Sequence, residues 1–375
     1  MSDQQLMDAI DAVAARLRAG APQASVLDGI ATGADALRLM RAAGWIEARG
    51  SELALSGRRG AVIGLDLGGT KLRGAIGNAA GEILAEFDEP TANHAKDSTL
   101  AQMADMARGL AARAGIALET IEHVAVGVPG IVAPDGGVAL SPNVSFDRNT
   151  PLAETLGKML SLPVSVDNDG NLSAFGEYTA GRGRDRGTHS LAFLALGTGV
   201  GMGLIVDGHL LHGNSGGAGE IALLPFGADP FSAARLHPGG AYEAAVDTDG
   251  IRNAYANATG SDLEVRDIFD RAEQGDEAAS AVVADTIRNI ALGVATVIAL
   301  LDPGIVVVGG GIGARPGLAE AIGKLTAQLV PTACAVVASA LGDRAGVVGA
   351  LQFASRQARL SLIEGTTSTT RGAAA

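Results

Sequence analysis

Apolar residues recur along this chain in three successive patterns. Over residues 4–17 they fall at helical spacing. Two shorter helical stretches follow, at residues 25–30 and 32–43, and "WIEARGSELALS" alternates like a small hairpin turning at Arg49-Gly50. From Ala61 the pattern becomes strand-like. "AVIGLDL", "KLRGAIG" and "GEILAEFDEP" are three runs separated by glycine-rich turns, which predicts an antiparallel meander. A helix over 98–115, the strand "HVAVGVPG", a helix over 152–160, the strand "PVSVDND" and a helix over 170–181 complete a mixed-sheet α/β unit. Beyond residue 240 helical spacing dominates, over 242–259, 264–274 and 277–301. The strand "GIVVVGG", a helix over 316–330, the strand "CAVVASAL" and a last helix over 345–362 come next. "EGTTSTTRGAAA" has too little apolar content to pack and reads as a loose tail.

The second and third patterns contain an internal repeat. "LDLGGTKLRGAIGN" from Leu65 aligns with "LALGTGVGMGLIVD" from Leu194, matching Leu65 to Leu194, Leu67 to Leu196, Gly68 to Gly197, Gly74 to Gly203 and Ile76 to Ile205. Each copy runs strand, glycine turn, strand, and then a third strand. Two such copies predict two similar lobes facing each other. The expected division is 1–60 (a helical appendage), 61–182 and 183–362 (the two lobes), and 363–375 (a flexible tail). A chain of 375 residues needs more than one core, which agrees with this division.

Composition narrows the function classes. The net charge of −13 argues against broad electrostatic capture of nucleic acid. The single cysteine, Cys334, excludes an internal disulfide or a multi-cysteine metal site and suits a reducing cytoplasm, the expected location. The apolar run "IALGVATVIALL" is too short to span a bilayer and ends at Asp302-Pro303, so no membrane partner is expected. Residues 1–60 have the element order of a winged helix-turn-helix, with Arg38 and Arg41 on one face of its third helix. Seven arginines there are balanced by seven acidic residues, whereas a DNA reader normally carries a basic excess. A degenerate winged helix and a working one both fit.

The glycine turns hold the candidate chemistry. Backbone N–H groups in such a turn point into its concavity, and the missing Cβ atoms let anionic oxygens approach. The first turn is not a Walker loop, because Thr70-Lys71 reverses the required Lys-Ser/Thr order and a strand comes after it instead of a helix. "GGGIGA", residues 309–314, matches a dinucleotide fingerprint, but no acidic residue lies about twenty positions further on to hold a ribose.

Five motifs in order resemble those of the ROK family (repressors, open reading frames, sugar kinases) within the actin-like ATPase superfamily, over about residues 61–362. "LDLGGTK" resembles its first phosphate motif and "VGVPG" with "SPNVSF" its sugar-side loop. "VDNDGN" resembles the segment carrying the catalytic aspartate, "LALGTGVG" the second phosphate motif and "VVVGGGIG" the adenosine motif. The resemblance implies a two-lobed actin-like ATPase (ribonuclease H-like) fold, an ATP-dependent kinase acting on a hexose or amino sugar, and a homodimer. It implies that Asp66 positions Mg²⁺ through water and that Gly68, Gly69, Thr70 and Lys71 line the phosphates. Gly197, Thr198 and Gly199 would close over them, and Gly309, Gly310 and Gly311 would back the adenosine. Asp169 would be the base that takes the proton of the attacking hydroxyl, a role phosphoryl transfer calls for. The reading of Asp169 as a helix N-cap is compatible with that role. Asn143 and Asn168 would hydrogen-bond the sugar.

One family motif is missing. Members usually carry zinc on a histidine and a cysteine-rich run. Here Leu223 stands at the histidine position, and Ala234, Leu236 and Ala241 replace cysteines, so no zinc site is expected. Glu220 and Glu243 remain as sugar-site candidates, to be held by packing of Leu223, Leu224, Phe226 and Phe231 instead of metal. The competing function is a sugar-responsive transcriptional regulator that binds DNA through residues 1–60.

Overall fold

A computed structural model describes residues 3–18, 25–49, 52–56, 59–78, 82–92, 96–139, 151–237, 239–331 and 334–372. The N-terminal segment forms α1 (Asp3–Arg18), α2 (Gly33–Ala42) and the hairpin β1 (Ile46–Arg49) with β2 (Glu52–Leu55). The expected helix over 25–30 is instead a series of turns, with Asp28 N–H on Ser25 O and Ile30 N–H on Leu27 O. Gly29, at φ 67°, breaks a stretch too short to propagate a helix on its own. The buried Trp45 leads into the hairpin, and its indole N–H reaches Glu122 at 3.5 Å. Arg38, meant for DNA in the winged-helix reading, is paired with Asp35 at 2.7 Å.

The chain divides into two compact units. The first comprises Met1–Pro129, Asp135–Asp167 and Ala350–Ala375. Its sheet uses β3 (Val62–Leu67), β4 (Lys71–Gly77), β5 (Ile83–Pro90), β6 (His123–Val128) and β9 (Val164–Asn168), in the order β5-β4-β3-β6-β9. Helix α3 (Lys96–Ala114) lies on it, and α4 (Leu152–Leu160) packs on α3. The small strands β7 (Ile131–Val132) and β8 (Val138–Ala139) pair with each other.

The second unit comprises Gly130–Pro134 and Asn168–Gly349. After α5 (Asp169–Ala180) and α6 (Arg182–Arg186) come β10 (Leu191–Leu196), β11 (Val200–Val206) and β12 (His209–Leu210). The helices α7 (Pro230–Leu236), α8 (Glu243–Val246), α9 (Thr248–Thr259), α10 (Val265–Glu273) and α11 (Glu277–Leu301) come next. The rest is β13 (Ile305–Gly309), α12 (Gly310–Gly313), α13 (Leu318–Leu329), β14 (Ala335–Ala338) and α14 (Ala345–Gly372). The sheet order is β12-β11-β10-β13-β14.

The two sheets therefore share one plan. In each, the first strand sits at the centre, pairs antiparallel with the second on one side and parallel with the fourth on the other. One repeated glycine pair, Gly74 and Gly203, is explained by helix packing. A Cβ on Gly74 would lie 2.7 Å from Met106 Sδ of α3, and one on Gly203 would lie 2.7 Å from Ala174 Cβ of α5. Both are sites of close helix–strand approach, where a side chain would overpack the interface.

The linear division at 182 is corrected to 168, because α5 packs on β10 and β11 of the second sheet. The last helix belongs to both units, residues 345–349 to the second and the remainder to the first. It also continues to Gly372, where the sequence suggested an end at Leu362 and a loose tail. A helix already nucleated by its packed first turns can extend through indifferent formers. Among the described residues only α11 is long and apolar enough to cross a membrane. Its buried face, including Ile290, Val294 and Ile298, lies in the core of the second unit.

The buried Glu177 fixes the far end of α5. Its side-chain oxygens accept Ser339 Oγ, Leu341 N–H (2.9 Å) and Arg182 N–H (3.0 Å), so a fully enclosed polar group is matched by three donors.

Candidate active site

In the first unit the turn between β3 and β4 closes through Gly68 N–H on Lys71 O at 2.9 Å. The carbonyl of Gly68 accepts Thr91 Oγ1 at 2.8 Å, and Thr91 N–H bonds Thr70 O at 3.1 Å. The N–H groups of Gly69 and Thr70 meet no acceptor among the described residues. Lys71 points its ammonium at Asp88, 2.8 Å away, and so is held by a neighbouring strand. Just before the turn, Asp66 faces Arg73 across the ladder. Burial pushes the Asp66 carboxyl up to about 6, and Arg73 only partly offsets this. A half-buried carboxylate with incompletely matched charge is suitable donor chemistry for a hard divalent cation, so Asp66 fits the Mg²⁺ role.

The second unit builds a similar turn, one residue tighter. Gly197 N–H bonds Gly199 O at 3.0 Å, and the Gly197 carbonyl accepts Thr248 Oγ1 at 2.9 Å and Thr248 N–H at 3.1 Å. The N–H groups of Thr198 and Gly199 meet no acceptor among the described residues. Close by lies the "GGG" run at 309–311: a Cβ on Gly197 would stand 3.7 Å from Gly311 N. Gly309 and Gly310 are explained by packing, against Phe193 and the Leu196 backbone respectively, and Gly310 also takes φ 82°. Gly311 alone faces open space, which suits a ligand surface.

Asp169 is the first helical residue of α5, and the N-cap is Asn168, whose Oδ1 accepts Asn171 N–H at 3.0 Å. Asp169 Oδ1 accepts Gly170 N–H at 2.8 Å. The other end of the Asn168 amide donates to Gly130 O at 3.0 Å, so this side chain braces the "VGVPG" loop as well as the helix. Asn143 lies outside the described residues.

Glu220 begins the short 3-10 turn Ile221–Leu223. Burial, then the charge of Glu243, raises its carboxyl above the ordinary value. Glu243 itself sits under the second glycine turn, with Oε2 accepting Val200 N–H at 2.8 Å. A Cβ on Gly199 would lie 2.7 Å from that same oxygen. Glu243, a sugar-site candidate by sequence, thus has one carboxylate oxygen bound to the backbone at the end of the second glycine turn. The expected packing also changes. Leu224 and Phe226 do pack on the core, Phe226 edge-on to Tyr242 at 5.4 Å, whereas Leu223 and Phe231 are exposed, Phe231 by 81%. The short surface helix α7, capped by Asp229, carries Phe231 outward. Among the described residues no three His, Cys, Asp or Glu side chains form a metal-holding group.

Asp247 caps α9 by accepting Gly250 N–H at 2.6 Å. Burial outweighs that bond and, with repulsion from Glu243 and Asp249, raises its carboxyl from 3.8 to about 6. The folded chain therefore holds this proton more tightly than the unfolded chain. Stability from the group is complete below pH 3.8 and is lost as pH rises through 6. Asp247→Asn keeps the capping oxygen and removes the charge. Denaturant midpoints should show a gain of about 2 kcal/mol at pH 8, after allowance for solvent screening, and none at pH 3.5. An equal gain at both would place the effect elsewhere.

The fold and these loops define an actin-like ATPase architecture. The ROK family profile matches residues 62–357, and the chain belongs to the ROK family. It is 32% identical over 270 residues to an N-acetylmannosamine kinase of Shigella flexneri, covering 71% of this chain and 88% of that one. A ROK glucokinase from Streptomyces griseus, solved with glucose and AMPPNP, superposes with TM-score 0.66 at 28% identity, over 78% of this chain and 99% of that one. A ROK family transcriptional regulator, a homologue of the E. coli MLC protein, superposes with TM-score 0.79 at 20% identity. It covers 97% of this chain and all of that one, a likeness of fold alone.

Proposed function

We propose that the chain is an ATP-dependent sugar kinase, transferring the γ-phosphate of ATP to a hydroxyl of a hexose or amino sugar. The observation that carries this reading is the paired construction of the two glycine turns, each leaving consecutive N–H groups without a protein acceptor among the described residues. Such N–H groups suit phosphate oxygens. Gly68, Gly69 and Thr70 are assigned to the phosphates with Gly197, Thr198 and Gly199. Gly311 is assigned to the adenosine, and Gly309 and Gly310 hold it in place. Lys71 joins the phosphate set by exchanging Asp88 for the nucleotide. Magnesium, when bound near Asp66, supplies charge neutralisation at the phosphates. Asp169 accepts the proton of the attacking hydroxyl, and Asn168 and Glu220 order the loops that hold the sugar, Asn143 joining them there. The support from relatives is the kinase activity named for the Shigella flexneri enzyme and the nucleotide and sugar held by the Streptomyces griseus structure.

The test is ADP release across hexoses, N-acetylated amino sugars and ketoses. Turnover with one sugar class is expected, and no release with any would remove the proposal. Zinc content should be substoichiometric by elemental analysis, and a full equivalent would overturn the reading of the missing motif. A homodimer in the cytoplasm is the expected working state, and a single-chain mass in sedimentation would correct it.

The regulator reading is favoured by one observation, the extension of the MLC-homologue superposition to 97% of the chain, against 78% for the kinase. A gel shift with upstream DNA at low salt tests it, and absence of binding there removes it.

A further inference from the structure

Two threonines outside every motif touch the glycine turns in the same way. Thr91 comes directly after β5 and Thr248 opens α9. Each places its hydroxyl on the carbonyl of the first glycine of a turn, Gly68 at 2.8 Å and Gly197 at 2.9 Å. The two contacts are made from 23 and 51 residues away in sequence. A trans peptide holds its C=O and the next N–H antiparallel. Anchoring the Gly68 carbonyl therefore aims the Gly69 N–H the opposite way, and anchoring the Gly197 carbonyl does the same for the Thr198 N–H. These are N–H groups that meet no acceptor among the described residues.

We propose that Thr91 and Thr248 are positioning residues for nucleotide binding, each fixing one peptide plane so that its N–H is presented to a phosphate oxygen. Without the hydroxyl, a glycine peptide rotates at little cost, since glycine tolerates both signs of φ. The turn would then turn its carbonyl, in place of its N–H, toward an anion in part of the population. The two sites differ in one respect. Thr248 also holds Gly197 O with its own N–H at 3.1 Å, which a side-chain change leaves intact. Thr91 uses its N–H on Thr70 O instead, so its hydroxyl is the sole threonine contact to Gly68 O among the described residues.

The inference rests on the kinase reading, and the experiment separates the two. AMPPNP with Mg²⁺ is titrated into the wild-type chain by calorimetry, and then into Thr91→Val, Thr91→Ser, Thr248→Val and Thr248→Ser. Valine matches threonine in shape and lacks the hydroxyl, and serine restores it. Affinity should fall about tenfold in Thr91→Val and about threefold in Thr248→Val, the loss of one orienting hydrogen bond. Each serine variant should return most of the loss, with melting temperatures close to wild type. Where turnover is measured, KM for ATP should rise while KM for the sugar stays the same. No AMPPNP binding by the wild-type chain would remove the kinase reading itself. Wild-type binding that the valine variants match would overturn the positioning role, as would equal loss in valine and serine variants.

Discussion

Asp169→Asn should reduce kcat by about a thousandfold while leaving ATP affinity within a factor of two, the expected loss of a general base. The substitution is nearly isosteric. Asn168, not Asp169, caps α5, and an asparagine Oδ1 can still accept the Gly170 N–H that Asp169 now takes at 2.8 Å. Removal of the base should therefore appear in turnover alone. Steady-state kinetics and AMPPNP calorimetry on the same preparation check this. A variant that loses nucleotide affinity but retains kcat would move Asp169 from the base to the phosphate site.

Gly349→Ala should be the most damaging single change to the fold, lowering stability by about 3–4 kcal/mol and the melting temperature by roughly 10 °C. A Cβ there would fall on the Leu172 carbonyl oxygen and lie 3.0 Å from Gly176 N, both backbone atoms of α5. A Cβ on Gly176 would in turn lie 2.6 Å from Ala345 O and 2.9 Å from Gly349 N. The two helices cross with glycine on both sides, so no rotamer can relieve an added methyl. Gly311→Ala is the matched control, because a Cβ at Gly311 meets open space. Thermal melts should show Gly311→Ala near wild type. A Gly349→Ala melt equally close to wild type would mean that the crossing has room.

Most of the fold could be read from the sequence because its signals are local or repeated. The alignment of Leu65–Gly74 with Leu194–Gly203 anticipated two sheets, and both carry the same strand order. Helices such as α4 and α11 begin and end where spacing and Asp302-Pro303 indicated. Helical spacing over 242–259 predicts one helix. The stretch is two, because Asp247 caps a new start that looks like any other acidic residue in a helical run. The unit boundary at 168 was hidden for a different reason: β9 and α5 are continuous in sequence but pack on different sheets. In the candidate site, glycine turns and Asp169 announce themselves by type and spacing. Thr91 and Thr248 do not, since a threonine that reaches a carbonyl from 23 or 51 residues away leaves no periodic trace. The backbone contact of Glu243 is of the same distant kind, 43 residues from Val200.

The shared C-terminal helix sets an order for biosynthesis. Asn168–Gly349 is nearly contiguous and can close its core while the ribosome still holds the residues beyond it. The first unit, although translated earlier, needs α14, whose Leu351 backbone presses on Gly64 of its central strand. Its sheet must therefore wait, partly uncovered, until the residues of α14 beyond Gly349 have emerged. Chaperone demand should fall on the first unit for as long as it lacks that helix.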